Sequence, residues 1–232
     1  MKKKLIIFDI DGTLLYSNKI DSQCFAQAYQ MVYKEPFPTI DWSKYPHVTD
    51  DTIFKTVIQE HFNRIPSEEE IDSYRDVFVS LIVEKRKTHP KEFLEVPNSR
   101  ATIERLLADD DYEVGIATGG WNKPAHVKLA HIGIPTENIM IKCADGCPTR
   151  EDIVSHVLNQ AKARNLNIDK TVYVGDAAWD VRTTRNLNMP FIGIRREGDH
   201  QKLLDLGAQI VLTDYRNYDQ FQEAVEKAQP PH

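Results

Sequence analysis

Short apolar runs recur along the chain and are separated by polar turns. Each run is too short for a helix and too uniformly apolar for a half-exposed strand, which is typical of strands buried in a parallel sheet. The six predicted strands cover residues 5–8, 114–117, 139–141, 171–174, 191–194 and 210–212.

Helical patterns lie between these strands. Thr149, followed three residues later by Asp152, has the spacing of a capping box at a helix start. Strands that alternate with helices predict an α/β fold with a Rossmann-like parallel sheet and helices on both faces. In such a fold, ligands bind beyond the carboxyl ends of the strands.

One long segment breaks this alternation, because it carries helical signals and no convincing strand from about residue 16 to residue 93. Ser67 and Glu70 have capping-box spacing, and an apolar stripe at helical spacing follows them. We therefore predict a small helical cap domain, residues 17–93, inserted into an α/β core made of residues 1–16 and 94–232.

Acidic residues follow two of the predicted strands. Asp9 and Asp11 come directly after the first strand, and Asp176 follows the strand at 171–174, with Asp180 about one helical turn later. Any one of these residues has an ordinary explanation as a turn, cap or surface position. Because parallel strands end at a common edge, however, Asp9 and Asp176 are expected to meet there.

A third strand, at 114–117, is followed by Thr118, Gly119 and Gly120. Glycines allow backbone amides to approach an anion closely, and the Thr118 hydroxyl can donate beside them. A plain strand-to-helix turn is the alternative. At the same edge as the acids, the pattern favours an anion such as phosphate.

The predicted acidic cluster requires a cation. Two carboxylates 4 Å apart repel by about 4 kcal/mol at an effective dielectric of about 20. Oxygen ligands favour a hard ion, and an open site that accepts a phosphate oxygen suits Mg²⁺. The three cysteines have no CxxC pair and the eight histidines have no metal-binding spacing, so a nitrogen or sulfur site is not indicated.

The composition and net charge of the chain limit the classes of binding partner to be expected. With 41% apolar and 28% charged residues among 232, the chain has ordinary globular composition. A net charge of −6 disfavours nucleic acid and anionic membranes, and no apolar run approaches the ~18 residues of a membrane span. We expect a cytoplasmic protein, monomeric or a small homo-oligomer, that acts on a small molecule.

Together, the sequences DIDGT, ATGG and GDAAWD resemble the first, second and fourth motifs of the haloacid dehalogenase superfamily, in the branch with a small helical cap that contains phosphoglycolate phosphatases and β-phosphoglucomutases. The resemblance implies that Asp9 is the nucleophile and a metal ligand and that it forms an aspartyl phosphate. Asp11 would be the general acid–base and would bind the metal through its backbone carbonyl. Thr118 and the Gly119 amide would hold the phosphoryl group, and Asp176 would complete the metal site.

The third motif of that superfamily is a lysine or arginine that neutralises the nucleophile and the phosphate. A Lys-Pro pair is its usual form, whereas this chain reads Gly-Cys-Pro-Thr-Arg at residues 146–150. Arg150 is the first candidate, Lys142 is the second, and a solvated surface arginine is the alternative for Arg150. Asp180 would assist the metal site through water or a basic residue.

The expected reaction is Mg²⁺-dependent hydrolysis of a small organic phosphate. Asp11 argues against a dehalogenase, since a halide leaves without a proton, and no Schiff-base lysine for a phosphonate cleaver is identified. A sugar-phosphate mutase and a catalytically silent binding module remain alternatives. Substrate contacts are expected from residues 42–50, where Lys44, His47 and Thr49 are either contacts or ordinary exposed loop residues.

Overall fold

Strands and helices alternate along most of the chain in the computed structural model, which describes residues 2–232. The strands are β1 (Lys3–Phe8), β2 (Leu15–Tyr16), β3 (Leu94–Glu95), β4 (Tyr112–Ala117), β5 (Met140–Lys142), β6 (Ile168–Gly175), β7 (Phe191–Ile194) and β8 (Val211–Leu212). The helices are α1 (Asn18–Tyr33), α2 (Asp50–Phe62), α3 (Glu68–Thr88), α4 (Ser99–Leu107), α5 (Asn122–His131), α6 (Arg150–Ala163), α7 (Ala178–Asn186), α8 (Gln201–Leu204) and α9 (Tyr218–Lys227). No helix within residues 2–232 combines the length and the apolarity that a membrane crossing requires.

Six strands form one parallel sheet in the order β5-β4-β1-β6-β7-β8. Each of the six predicted strands contributes to it, so the predicted α/β class is confirmed. In the central strand β1, the side chains of residues 5–8 are fully buried. Because successive side chains in a strand point to opposite faces, this burial requires cover on both faces of the sheet.

The register of the sheet aligns three strand ends. Phe8 lies opposite Ile116 of β4 and Val174 of β6. The residues that follow these positions therefore emerge side by side at one edge. Side chains placed just after these strand ends are therefore neighbours.

Helices α1 to α3 stand apart from the sheet and form a cap. The chain leaves the core through β2 and returns through β3, and these two strands pair as a short antiparallel ribbon in which Leu15 lies opposite Glu95. The ribbon was not predicted, because two residues per strand carry no readable periodicity. It ties the outgoing and returning segments together at the base of the cap.

The interior of the cap is a cluster of aromatic rings, and Trp121 of the α/β core completes it. The ring of Phe25 lies 5.3 Å from that of Tyr74 and 5.4 Å from that of Phe78. Trp121, in the loop after β4, inserts between them, with its ring 5.8 Å from both Phe25 and Tyr74. Its side chain is fully buried. The cap and the core thus share one packed cluster.

The predicted helix starts are confirmed in part. At α6, Thr149 and Asp152 form the complete capping box. At α3, Ser67 accepts the Glu70 amide, but the Glu70 carboxylate binds Arg64 in a bidentate ion pair. That strong ion pair holds the carboxylate toward Arg64. The prediction for α3 is therefore confirmed for the contact made by the Ser67 side chain and wrong for the contact expected from the Glu70 side chain.

Candidate active site

Three predicted site residues converge where the central strands end. Asp9 directly follows β1, Asp176 directly follows β6, and Thr118 directly follows β4. The Asp9 amide extends the sheet by donating to the Val174 carbonyl oxygen at 2.9 Å. All three side chains are buried. The sheet edge therefore carries a closely held polar group rather than exposed turns.

Asp9 is buried with one carboxylate oxygen only weakly satisfied. Its side chain is 3% exposed, and Oδ1 lies 3.6 Å from Nη1 of Arg150 without a hydrogen-bond partner in the described part of the chain. Burial raises the pKa of Asp9 to about 7; Arg150 opposes this rise, and Asp180 and Asp11 add to it. Ionised Asp9 therefore needs further positive charge nearby.

Asp176 repeats this situation beside Asp9. One carboxylate oxygen each from Asp9, Asp176 and Asp180 lies within 4.8 Å of the others. Burial raises the pKa of Asp176 well above its ordinary value, and the neighbouring Asp180 and Asp9 raise it further. Oδ1 of Asp176 has no hydrogen-bond partner among residues 2–232.

Asp180 differs, because its carboxylate is fully engaged. Oδ1 accepts from Nη1 of Arg150 at 2.9 Å and from the Tyr173 hydroxyl at 3.1 Å, and Oδ2 accepts from the Ala177 amide at 3.0 Å. The side chain is completely buried. Asp180 thus orients Arg150 toward the site.

The structure places Arg150, at the start of α6, beside Asp9. Its guanidinium contacts Asp9 and Asp180, and its Nε donates to the Val48 carbonyl oxygen of the cap at 3.0 Å. Lys142, the other candidate for the third motif, donates instead to the Asp145 carbonyl oxygen at 2.9 Å. Arg150 is buried, so it is not a solvated surface arginine.

Gly119 is required by close packing. A Cβ atom there would lie 2.5 Å from the Val48 carbonyl oxygen and 2.6 Å from Nη2 of Arg150. The neighbouring Thr118 hydroxyl accepts the Gly120 amide at 3.2 Å, which shapes the loop. Glycine therefore lets the cap and Arg150 approach the strand end, a reason beyond the anion contact expected from the sequence.

Asp11 lies on the same loop but its side chain is held by a lysine. Both of its carboxylate oxygens accept from Nζ of Lys128, at 2.8 and 2.6 Å. Its backbone carbonyl faces the acidic cluster, since Nδ2 of Asn18 donates to that carbonyl at 3.1 Å and to Oδ2 of Asp176 at 3.2 Å. The side chain and the backbone of Asp11 thus serve different parts of the site.

The donor set fits a hard divalent cation. Asp9 and Asp176 each keep an unpartnered buried oxygen, and the Asp11 carbonyl has a second lone pair. All of these donors are oxygens, which select ions of the magnesium and calcium type. Asp9, Asp176 and the Asp11 carbonyl are the groups that would hold the ion, because the oxygens of Asp180 already have partners.

A cavity of about 360 Å³ lies between this site and the cap. Asp9, Asp11 and Arg150 line its core side. The cap residues that line it are Asn18, Lys19, Asp21, Ser22, Phe25, Ile40, Trp42, Val48, Asp50 and Ile53. A molecule bound at Asp9 would therefore project into a pocket that is partly apolar and partly acidic.

The predicted substrate segment at residues 42–50 contributes through other residues than those expected. Trp42 and Asp50 line the cavity, whereas Lys44, His47 and Thr49 are not among its lining residues. The Thr49 hydroxyl accepts the Thr52 amide at the start of α2. That contact is the physical reason in the case of Thr49, since a capping side chain points along its own helix.

The fold and the site define an α/β enzyme with an acidic active centre under a helical cap. The chain belongs to the haloacid dehalogenase-like hydrolases, whose family model matches residues 6–194. This match confirms the predicted family. The predicted enzyme class, a phosphohydrolase, is confirmed by this match and by the phosphoglycolate phosphatase described in the next paragraph.

Individual relatives are distant but cover nearly the whole chain. A phosphoglycolate phosphatase of Rhodobacter capsulatus is 24% identical over 205 residues, which span 86% of this chain and 87% of the relative. A hydrolase from Pseudomonas syringae superposes with a TM-score of 0.70 at 19% identity, covering 97% of this chain and 99% of that chain. A β-phosphoglucomutase from Clostridium difficile gives 0.68 at 20% identity, covering 98% of both chains. These structural similarities support the fold.

Sequence reasoning missed three polar residues that contact the site. Asn18 and Asp21 open the first cap helix, and Lys128 lies within α5. Asn18 and Asp21 follow the first motif closely, so their position was a usable signal. Lys128 offered none, because a lysine in an amphipathic helix is usually a surface residue.

Proposed function

We propose that this protein is a Mg²⁺-dependent phosphatase that hydrolyses a small organic phosphate monoester through an aspartyl phosphate on Asp9. The environment of Asp9 carries the proposal: a buried carboxylate at the mouth of a cavity, beside the guanidinium of Arg150 and the carboxylate of Asp176. The similarity to a phosphoglycolate phosphatase supports the reaction class.

In the first half-reaction, a carboxylate oxygen of Asp9 attacks phosphorus and the bond from phosphorus to the ester oxygen breaks. Asp11 gives its proton to the departing oxygen, so that an alcohol leaves rather than an alkoxide. Arg150, Thr118 and the Gly119 amide hold the phosphoryl oxygens. Arg150 is suited to this role because its Nη1 donates to Oδ1 of Asp180 at 2.9 Å, and this ion pair holds the guanidinium in place.

In the second half-reaction, water attacks the phosphorus of the aspartyl phosphate. The Asp11 carboxylate takes a proton from that water, and the bond between phosphorus and the Asp9 oxygen breaks. Inorganic phosphate leaves, Asp9 returns as a carboxylate and Asp11 returns as an acid. The cycle therefore balances in protons without any other group.

Asp9, Asp176 and the Asp11 carbonyl would hold the magnesium ion. When bound, Mg²⁺ supplies positive charge that offsets the carboxylates and the phosphoryl oxygens. The unpartnered oxygens of Asp9 and Asp176 support this assignment. The raised pKa values of both residues, which follow first from burial, support it as well, because a cation favours their ionised forms.

The cavity size favours a small phosphorylated metabolite. Small-molecule sites occupy about 300–1,000 Å³, and the volume here, about 360 Å³, lies at the lower end. We assign the protein to metabolite hydrolysis in the cytoplasm, without a nucleic acid or membrane partner and as a monomer or small homo-oligomer. The net charge of −6 agrees with this choice.

A panel of phosphorylated metabolites, with p-nitrophenyl phosphate as a generic substrate, tests the proposal. We expect release of inorganic phosphate that depends on Mg²⁺ and stops on addition of a chelator. Isomerised sugar phosphate without free phosphate would identify a mutase instead. No turnover of any compound, the aryl phosphate included, would identify a catalytically silent binding module.

A further inference from the structure

Lys128 is a buried lysine on α5, and no step of the proposed reaction uses it. Its side chain is 2% exposed and does not line the cavity. A buried ammonium ion has a desolvation penalty of several kcal/mol unless charged partners surround it. A lysine retained at such a position therefore calls for a specific partner.

Lys128 has two partners. Its Nζ donates to both carboxylate oxygens of Asp11, at 2.8 and 2.6 Å, and to Oδ1 of Asp21 at 2.6 Å. All three ammonium protons are thus engaged. Burial lowers the pKa of Lys128, but Asp11 and Asp21 raise it by more, so the lysine stays charged.

These contacts fix the side chain of Asp11. A carboxylate bound through both oxygens has little freedom to rotate, and the Ser17 hydroxyl also donates to Oδ1 of Asp11. The Asp11 side chain remains 20% exposed and lines the cavity, so Lys128 holds it from behind. The cavity-facing side of Asp11 stays available for a leaving group.

The cluster also spans the boundary between the core and the cap. Asp11 and Lys128 belong to the core, whereas Asp21 lies in the first turn of α1. The orientation of the Asp11 side chain is therefore tied to the presence of the cap over the site. A rotation of the cap away from the core would separate Asp21 from Lys128.

We propose that Lys128 and Asp21 are positioning residues that hold the Asp11 carboxyl group toward the leaving oxygen while the cap covers the site. The proposal rests on the proposed phosphatase function. In the step concerned, protonated Asp11 gives its proton to the ester oxygen as the bond to phosphorus breaks, and the carboxylate that remains is the form whose two oxygens both accept from Lys128. Lys128 remains protonated throughout. Its role is to keep Asp11 within reach of that oxygen.

The leaving group provides the test. An alkyl phosphate needs a proton on its departing oxygen, whereas p-nitrophenolate leaves without one. We expect Lys128→Met to lower kcat/KM by about 10²-fold for the best alkyl phosphate of the metabolite panel, the lower bound of general acid–base catalysis. For p-nitrophenyl phosphate we expect a change below about threefold. The value of kcat/KM reports the steps up to the departure of the leaving group. The later hydrolysis of the aspartyl phosphate therefore does not affect it.

Matched variants separate positioning from structure. Lys123→Met removes another lysine of α5 that pairs with a cap residue, Asp76, but at the surface, and should leave both rates unchanged. Asp21→Asn should reproduce the selectivity of Lys128→Met with a smaller loss. Since partial unfolding lowers both rates equally, their ratio remains informative.

Two results would overturn the inference. If the wild-type protein hydrolyses both substrates and Lys128→Met lowers both equally, or neither, Lys128 is structural and only this inference fails. If the wild-type protein hydrolyses no phosphate ester, the proposed function fails and this inference fails with it.

Discussion

At the scale of single residues, the acids of the site differ in what surrounds them. The carboxylate of Asp180 has three donors, that of Asp11 is bound by Lys128, and Asp9 and Asp176 each keep one unpartnered oxygen. The same type of side chain can therefore anchor, donate a proton, attack or bind a metal, because the environment determines which form is stable.

The first prediction concerns Asp9. Asp9→Asn removes the attacking carboxylate but keeps its shape, so phosphate release should fall by at least about 10⁴-fold, as for other enzymes that lose a nucleophile. Circular dichroism should show an intact fold. Asp169→Asn, which alters an exposed acid paired with Lys2, is the control and should retain full activity. An active Asp9→Asn variant would rule out the covalent mechanism.

The second prediction concerns the affinity for Mg²⁺ as a function of pH. The ion binds ionised Asp9, whose pKa burial raises to about 7 without a cation. Below pH 7, binding must displace a proton from Asp9, and Asp176, whose pKa burial also raises, acts in the same direction. The Kd should therefore rise at least about tenfold for each pH unit. Titration calorimetry between pH 5 and 8 measures this dependence. A Kd that stays constant over that range would show that Asp9 is not a ligand.

At the scale of elements, the chain order of apolar runs was sufficient to predict the sheet and the edge where Asp9 and Asp176 meet. Asp9 and Asp176 could be predicted because each follows a buried strand directly, and parallel strands end together. Trp121 and Lys128 could not, because their roles depend on how α5 and its preceding loop meet the cap. No local pattern encodes that contact, and the two-residue strands β2 and β3 were missed for the same reason.

The third prediction tests the contact between the cap and the core. Trp121→Ala leaves a large void among Phe25, Tyr74 and Phe78, so the free energy of unfolding should fall by about 3–5 kcal/mol. Trp121→Phe should lose much less, because Nε1 of Trp121 has no hydrogen-bond partner among residues 2–232. Urea denaturation measures both variants. Equal stability of the alanine variant and the wild type would contradict the shared cluster.

At the scale of the whole molecule, the cap contacts the core motifs directly. Its Val48 carbonyl accepts from Arg150, and the Asp50 amide donates to the Gly119 carbonyl at 2.8 Å. Together with the Asp21 contact to Lys128, these bonds join the cap to the second, third and general-acid elements of the site. The arrangement of these site residues therefore depends on contacts with the cap.

The last prediction concerns the stability of the whole protein. In the folded chain the pKa of Asp9 is about 7, against an ordinary value of 3.8. Between these two values the folded state binds more protons than the unfolded state, so stability should fall as the pH rises. The slope is about 1.4 kcal/mol per pH unit between the two values and smaller close to each, so Asp9 accounts for a loss of about 3 kcal/mol between pH 4 and pH 7.

Urea denaturation in the presence of a chelator can isolate this contribution. Asp9→Asn lacks the titrating group, so its stability relative to the wild type should increase from pH 4 to pH 7. Excess Mg²⁺ at pH 8 should offset most of that increase, because an ion at 100 times its Kd adds about 2.7 kcal/mol to the wild type alone. Parallel curves for the two proteins, with and without Mg²⁺, would mean that Asp9 carries no unsatisfied charge in the fold. Asp9 lies beside Asp176, so a bound cation that offsets both carboxylates should make the folded protein more stable.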